Sequence, residues 1–579
     1  MTTPRTAARS GQVSRRALLA GIAGGAALMA LPLSALAAAA VNPVFRHGVA
    51  SGDPDASSVV LWTRVTAAAS VDVAWELSDS PAFAKILKSG SVRTDAARDF
   101  TVKALATGLP AGGTFFYRFR MGKARSPIGR ARTLPTGHLE TLGIALASCS
   151  NFPFGFFNAY DAIAKDPAID FVLHTGDYIY EYGGETDWGK DVARRIGREH
   201  APAHEIVTLS DYRIRHAQYK TDAGSLAMHA QHTLLACWDD HESANNPWTG
   251  GAQNHQPDTE GDWATRRAAS IRAYYEWMPV REPEWLEVKG RSRAQFWRGY
   301  SFGDLALVHT LETRHTARAQ QVEYTDHARE IVDDASAEKF KRDVLGAPNR
   351  PLIAPELEAD LSAALAKSVK QGQPWRVIGC PMVIGRLIVP DFVKLGILPD
   401  PMPRLAAAKS AEELGKLAAD PGVSFAWRGR WGLPDYTDAW GGYPWARERF
   451  YDLSRNAGAG DLVFLSGDSH SFWTNDLADA QGRPAGIEFG TAGISSPGDF
   501  ISSGFDADMS RRLDVAYAEH IPEVVWTDNM HQGYVRVEFG RRTGTASFVA
   551  VSTVLSRDYT TSVIRKDAFR RDGDRVRLG

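Results

Sequence analysis

Cysteine is scarce in this chain: Cys149, Cys237 and Cys380 are all that 579 residues contain, which excludes a disulfide framework. Charge of one sign is missing too. The 66 Lys and Arg nearly balance 68 Asp and Glu, and the net charge of -2 exerts no long-range pull toward nucleic acid or an anionic membrane. Beyond the first 44 residues no apolar run is long enough to span a bilayer. No internal repeat and no disordered low-complexity tract follows that leader. What is present is a globular composition, 44% hydrophobic and 23% charged, on a chain longer than one core usually supports. Two or more domains are therefore expected. Sixteen Trp and seventeen Tyr fit large packed cores and aromatic-walled clefts.

The N-terminus reads as a targeting segment. Arg5, Arg9 and the pair Arg15-Arg16 precede an uncharged stretch, 17–44, rich in Leu, Ala and Gly. Ser14-Arg15-Arg16-Ala17-Leu18-Leu19 resembles a twin-arginine export signal, and Ala35-Leu36-Ala37 supplies a small-x-small cleavage pattern. Residues 1–41 are expected to be a signal peptide read by the twin-arginine translocase. The mature chain would then be periplasmic or secreted, without a permanent membrane span. A single anchoring helix is the competing reading, because the stretch could cross a bilayer; its high Ala and Gly content favours the removable signal.

Residues 42–135 show short apolar or alternating runs (SVVLWTRV, VDVAWEL, DFTVKAL, FFYRFRM) separated by Gly, Pro and Ser turns. Such spacing predicts a separate all-β domain, a small sandwich of immunoglobulin or fibronectin type. His47 and Asp53, in its opening stretch, read as polar strand-to-loop residues that could pack against the next domain. From Leu142 the pattern changes. GIALAS, FVLHTG, LLACWDD, DLALVHT, WRVIGC, DLVFLSG and IEFGTAG alternate with helical or irregular stretches, predicting an α/β domain over 136–579. Thr208-Leu209-Ser210-Asp211 is a plausible helix cap, and 262–277 and 354–369 are helix-like. The Gly-, Pro- and Trp-rich stretch 424–446 reads as an ordered surface loop walling a cleft, with Arg386 a second candidate for the pocket wall.

The chemistry sits where apolar runs end. ALAS leads to Cys149, FVLHTG to Asp177 and Tyr180, LLACW to Asp239, Asp240 and His241, and DLVFLSG to Asp468 and His470. Ligands of α/β proteins gather beyond the carboxyl ends of strands, so these residues are expected to share one edge and build a polynuclear metal site. Gly176 lets the chain turn sharply before Asp177. Two adjacent carboxylates and an imidazole after an apolar run must either bind cations or face solvent; the preceding Ala236-Cys237-Trp238 favours cations, with Asp240 the chosen ligand. Thiolate and phenolate from Cys149 and Tyr180 favour Fe³⁺ over Mg²⁺ or Ca²⁺. His241 is the candidate for protonating a leaving group, and Asn246 for a neutral oxygen ligand or an amide donor to the substrate. Cys237 and Cys380 lie within apolar strands and read as inert.

This combination, Cys149, GDYIY (176–180), WDDHE followed by Asn245-Asn246, and SGDSH (466–470), resembles the PhoD family of secreted alkaline phosphatases and phosphodiesterases. The resemblance runs from about residue 42 to the end. It implies a metallophosphatase-like domain, a central mixed β-sandwich flanked by helices, behind the N-terminal β domain. It also implies Fe³⁺ held by Cys149, Asp177, Tyr180 and Asp468, with Ca²⁺ beside it. Asp177 would bridge to calcium, for which Asp240, Asn246 and His470 are candidate partners; Mg²⁺ or Zn²⁺ could substitute. The chain departs from ordinary calcineurin-like metallophosphoesterases in having Asp240 before the histidine and no Asp-x-His at the first strand. The activity implied is hydrolysis of phosphate mono- or diesters by a monomeric enzyme that needs no nucleic acid. Two other readings stand beside it: an oxidoreductase built on a Tyr- and Cys-ligated iron, and a secreted binding protein in which the carboxylates hold structural calcium.

Overall fold

The computed structural model describes residues 42–184, 189–288 and 291–579. The expected signal peptide, 1–41, lies outside the described residues. Among these residues no helix is long and apolar enough to cross a membrane.

Two mixed sheets dominate. The first has ten strands in the order Arg575–Leu578, Thr561–Asp572, Thr543–Val551, Gln532–Phe539, Leu142–Ala147, Phe171–His174, Thr233–Ala236, Val49–Gly52, Ser58–Arg64 and Thr101–Thr107. The second has seven: Gly299–Phe302, Ala306–Thr310, Trp375–Cys380, Leu462–Ser466, Pro484–Gly490, Phe472–Ala478 and Val524–Asp528. Side-chain alternation decides how the central strands are used. Leu142, Ile144, Leu146, Phe171 and Leu173 join the core shared with Val308, Val377, Val463 and Leu465 of the second sheet. Ala145, Ala147 and Val172 face the opposite way, into a core with Tyr160, Tyr212 and Tyr274. Small residues on that side let helices Asn158–Lys165, Leu209–Tyr219 and Trp263–Trp277 approach closely. Helices Pro355–Lys370 and Pro444–Asn456 cover the outer face of the second sheet through Leu357, Leu361, Leu365 and Phe450.

Local signals work as the sequence reads. Thr208 caps Leu209–Tyr219 with a reciprocal capping box to Asp211, and Asp262 caps Trp263–Trp277. The stretch 424–446 corrects the expectation of a surface loop. It holds most of the helix Pro421–Arg430, capped by Asp420, and buries Trp427, Trp431, Trp440 and Tyr443. Its cap and Pro421 lie just upstream of the stretch, and its tryptophans fill core.

The N-terminal region has its own core, with Val59, Leu61, Val102, Phe115, Tyr117 and Phe119 between two layers of strands. One layer is not its own: Val49–Gly52 pairs in parallel with Thr233–Ala236, so Ser58–Arg64 and Thr101–Thr107 extend the first large sheet. Residues 41–579 accordingly form one compact unit. His47 meets Trp277 edge-on at 5.1 Å, and Asp53 accepts the Arg281 N–H at 2.8 Å and the Tyr300 hydroxyl at 3.3 Å.

Candidate metal centre

Parallel strands of both sheets end at a common edge. Leu142–Ala147, Phe171–His174 and Thr233–Ala236 deliver Cys149, Asp177 and Asp239 to His241; Leu462–Ser466 delivers Asp468 and His470; Ala306–Thr310 runs toward Arg314. Ten non-glycine residues have positive φ among the described residues, and five are Cys149 (60°), Asp177 (56°), Asn246 (50°), Asp468 (68°) and His470 (54°). Each such conformation costs on the order of 1–3 kcal/mol, so its concentration here marks a functional edge. The preceding glycines are obligatory for a different reason. A Cβ on Gly176, itself at φ 103°, would lie 2.3 Å from the Asp239 nitrogen. One on Gly467 would lie 2.3 Å from Ser148 Oγ.

The edge gathers potential ligands into overlapping groups whose atoms lie within 4.8 Å of one another: Cys149, Asp177 and His470; Asp177, Asp240 and His241; and Asp177, Asp239, Asp240 and Asp468. Asp177 belongs to all three. Cys149 Sγ lies 3.5 Å from Asp177 Oδ2, and the Tyr180 hydroxyl donates to that oxygen at 3.0 Å. The same hydroxyl is 3.1 Å from His470 Nε2 and 3.0 Å from Ser496 Oγ. One end of the centre is thus a thiol, a phenol, an imidazole and a carboxylate, and the other is a cluster of carboxylates with the His241 imidazole beside it. The partition differs from the one the resemblance implies: His470 stands with Cys149 and Tyr180, and the Asp468 side chain turns to Arg314, whose Nη2 lies 3.2 Å from its Oδ1.

The electrostatics call for cations. Burial, reinforced by Asp240, Asp239 and Glu242, pushes Asp177 well above the usual carboxylate range. Burial and Asp239 do the same to Asp468, and burial with Asp177 raises the Cys149 thiol. Asp239 is pushed up to about 6, chiefly by burial. Asp239 Oδ2 and Asp240 Oδ1 are buried with no hydrogen-bond partner. Buried carboxylate oxygens without hydrogen bonds, beside a thiol and a phenol, are a donor set that fits two different cations side by side.

Some members of the site escape a reading of strand ends. Glu181 Oε2 holds His241 Nδ1 at 2.6 Å, while its Oε1 takes the Asn245 N–H at 2.7 Å. The imidazole stacks on Tyr180 at 4.2 Å between ring centres. Although burial works to lower its pKa, Asp240, Glu181 and Asp177 raise His241 well above its ordinary value. Glu242, buried, accepts the N–H groups of Asp177 (3.1 Å), Tyr178 (2.6 Å) and Asp239 (2.8 Å), tying two ligand loops together. Asn246 donates its backbone N–H to Asp240 Oδ2 at 2.9 Å and its amide N–H to Gln253 Oε1 at 2.9 Å, at the rim. Asp438, from the stretch 424–446, faces Arg314. Arg386 is engaged elsewhere, its guanidinium 3.5 Å from Glu523, so the candidate wall residue is corrected: its partners are Glu523 and the Ala478 carbonyl.

These residues could hold metal ions, and comparison with known proteins gives the family of the chain. The PhoD-like phosphatase family matches residues 144–548, and the N-terminal domain of PhoD-like phosphatases matches 31–135. The chain belongs to the PhoD-like phosphatase family. It is 31% identical over 508 residues to alkaline phosphatase D of Bacillus subtilis (strain 168), covering 85% of this chain and 75% of that one. It is also similar to the solved structure of PhoD, at 28% identity and a TM-score of 0.72, covering 93% of this chain and 92% of that one.

Proposed function

We propose that the chain is an exported, metal-dependent hydrolase of phosphate mono- or diesters, with Fe³⁺ at the Cys149, Tyr180 and His470 end and Ca²⁺ at the carboxylate end. The observation that carries this reading is the place of Asp177 in all three ligand groups, where one carboxylate can join a soft and a hard end. In fold terms the two central sheets are read as a metallophosphatase-like sandwich behind an immunoglobulin-like N-terminal layer.

Bound cations would supply positive charge for the phosphoryl oxygens and acidify the attacking water. The remaining work falls to side chains. Asp177, Asp240 and Asp468 would hold the ions. Glu181 and the Tyr180 ring fix His241, whose second ring nitrogen is available to a phosphoryl oxygen or to the departing alkoxide as a proton donor. Asn246 and Asn245 line the rim as neutral donors. Acidic groups dominate around the centre, so attraction for phosphate would have to come from bound ions.

Purified protein is expected to contain iron and calcium without added metal and to turn over p-nitrophenyl phosphate or bis-p-nitrophenyl phosphate. No turnover of either ester by the Fe³⁺- and Ca²⁺-loaded enzyme would point instead to a calcium-stabilised binding protein. Substrate-dependent oxygen consumption would point to an oxidoreductase. Replacing Arg15-Arg16 by Lys is expected to leave folded enzyme in the cytosol; normal export of that variant would remove the twin-arginine route.

A further inference from the structure

Arg314 has no part in the ligand set the resemblance implies, yet it is a fully buried guanidinium among four carboxylates. Its Nε donates to Asp239 Oδ1 at 2.5 Å, and its Nη2 reaches Asp468 Oδ1 at 3.2 Å and lies 3.7 Å from Asp240 Oδ1. Asp438 Oδ2 lies 3.5 Å from Nη1. The fork therefore bridges carboxylates from both sheets: Asp239 follows Thr233–Ala236 of the first, and Asp468 follows Leu462–Ser466 of the second. In Asp239 it engages one oxygen and leaves Oδ2 buried without a hydrogen bond.

We propose that Arg314 is a built-in cation of the metal centre, a positioning residue that takes one oxygen each of Asp239 and Asp468 and presents the other oxygens to the ions. Asp239, through Oδ2, then becomes a further metal ligand beside Asp240. The inference rests on the metal-dependent reading above. A planar fork suits the role because it fixes two carboxylates at once, which an ammonium on a flexible stem cannot do. Before any ion arrives it also balances part of the charge of Asp239, Asp240 and Asp468.

The test turns on a sign. Removing a positive charge from a cation site strengthens cation binding if the charge acts through its field alone. Removing a positioning group weakens it. Thermal melting of chelator-treated wild type, Arg314→Gln and Arg314→Lys is followed while Ca²⁺ is titrated back. Arg314→Gln is expected to need at least about tenfold more Ca²⁺ for half of the melting-temperature rise, the size seen when groups that orient metal ligands are lost. Arg314→Lys, which keeps the charge and loses the fork, is expected to be weakened as well. Ca²⁺ dependence in Arg314→Gln equal to or tighter than wild type overturns the proposal; if that variant does not fold, wild-type-like dependence in Arg314→Lys does so. Asp239→Asn is expected to weaken Ca²⁺ binding too, and unchanged binding would remove Asp239 as a ligand. A wild type whose melting ignores Ca²⁺ altogether would instead strike at the metal-dependent reading itself.

Discussion

Tyr178 and Tyr180 stand two residues apart on one loop and look into buried environments of opposite charge. Tyr180 faces the carboxylates, where its hydroxyl meets Asp177 and His470. Tyr178 faces a cationic and imidazole cluster: its hydroxyl accepts from Lys220 at 3.0 Å and is 2.8 Å from His229 Nε2. His174 and His216 pack against its ring, and Trp62, from the N-terminal layer, lies under the Lys220 ammonium at 4.9 Å. Among the described residues no carboxylate pairs with Lys220, and burial alone lowers its pKa to about 7. Burial, with help from Lys220, holds His174 down at about 3 and His216 and His229 well below the ordinary value; burial with Arg64, Arg46 and Lys220 holds His47 at about 3. The two sides resolve buried ionisation differently. On the acidic side burial and mutual repulsion raise Asp177, Asp239 and Asp468, whereas His241 and Arg314 hold Asp240 low, and in the proposed reading cations complete the cluster. The basic side sheds charge instead, its histidines staying neutral and Lys220 giving up its proton from about pH 7 upward, and it serves packing.

The largest expected effect lies on the acidic side. Asp177→Asn removes the carboxylate common to all ligand groups and is expected to lower kcat/KM on the order of 100-fold or more, with the circular-dichroism spectrum unchanged. Full activity in this variant would break the division of labour between the two faces. Next comes the soft end. Cys149→Ser is expected to reduce iron retained through purification by about tenfold, while Cys237→Ser leaves it near wild type. Cys237 is buried with its Sγ 3.9 Å from the His174 carbonyl and belongs to none of the ligand groups. Equal iron loss in the two variants would remove the distinction between a ligand thiol and a core thiol.

On the basic side the expected effect is on stability and its pH dependence. Lys220 has a folded-state pKa of about 7 against about 10.5 unfolded, so between those values the unfolded state binds the extra proton. Its burial penalty is greatest below about pH 7 and fades as pH rises toward 10.5, which makes the fold gain stability toward alkaline pH over this window. The facing groups are Tyr178, His229, His174, His216, His47 and Trp62, and the depressed histidines stay neutral throughout. Lys220→Met is expected to raise the melting temperature by a few degrees at pH 6–7, with the gain shrinking by pH 10 and kcat/KM within about twofold of wild type. A gain that is flat with pH, or a loss, would show that the ammonium is stabilised by something other than its surroundings here.

Strand ends made the acidic side legible. Cys149, Asp177, Tyr180, Asp240, Asp468 and His470 each follow an apolar run, and the polar residue after such a run is visible in one dimension. Arg314 obeys the same rule after Ala306–Thr310, and Glu312-Thr313-Arg314-His315 was the available signal. Glu181 and Glu242 were not legible, because a carboxylate's partners are backbone N–H groups and an imidazole brought together only by folding. The joining of the N-terminal strands to the large sheet hinges on the four residues Val49–Gly52, pairing with a strand about 180 residues away. The basic side was not visible: nothing in the sequence around His216 says that Tyr178 stacks on it.

The smallest expected effect separates the neighbours most finely. Tyr178→Phe deletes one hydroxyl bonded to Lys220, His229 and Ser225 and keeps the ring that fills the space between His174 and His216. Losing a buried hydrogen-bonding group while its partners stay buried costs about 1–3 kcal/mol. Here Lys220 sheds its charge more readily once its acceptor is gone, which places the loss at the low end, about 1 kcal/mol. Because the Asp177 and Tyr178 N–H groups remain anchored on Glu242, the ligand loop keeps its course. Denaturant unfolding of Tyr178→Phe should therefore show the small loss, with iron content and kcat/KM near wild type. Tyr180→Phe is expected to reverse the pattern, losing iron and activity with little change in the unfolding midpoint. If Tyr178→Phe instead sheds iron, the loop transmits between its two faces and the clusters act as one site.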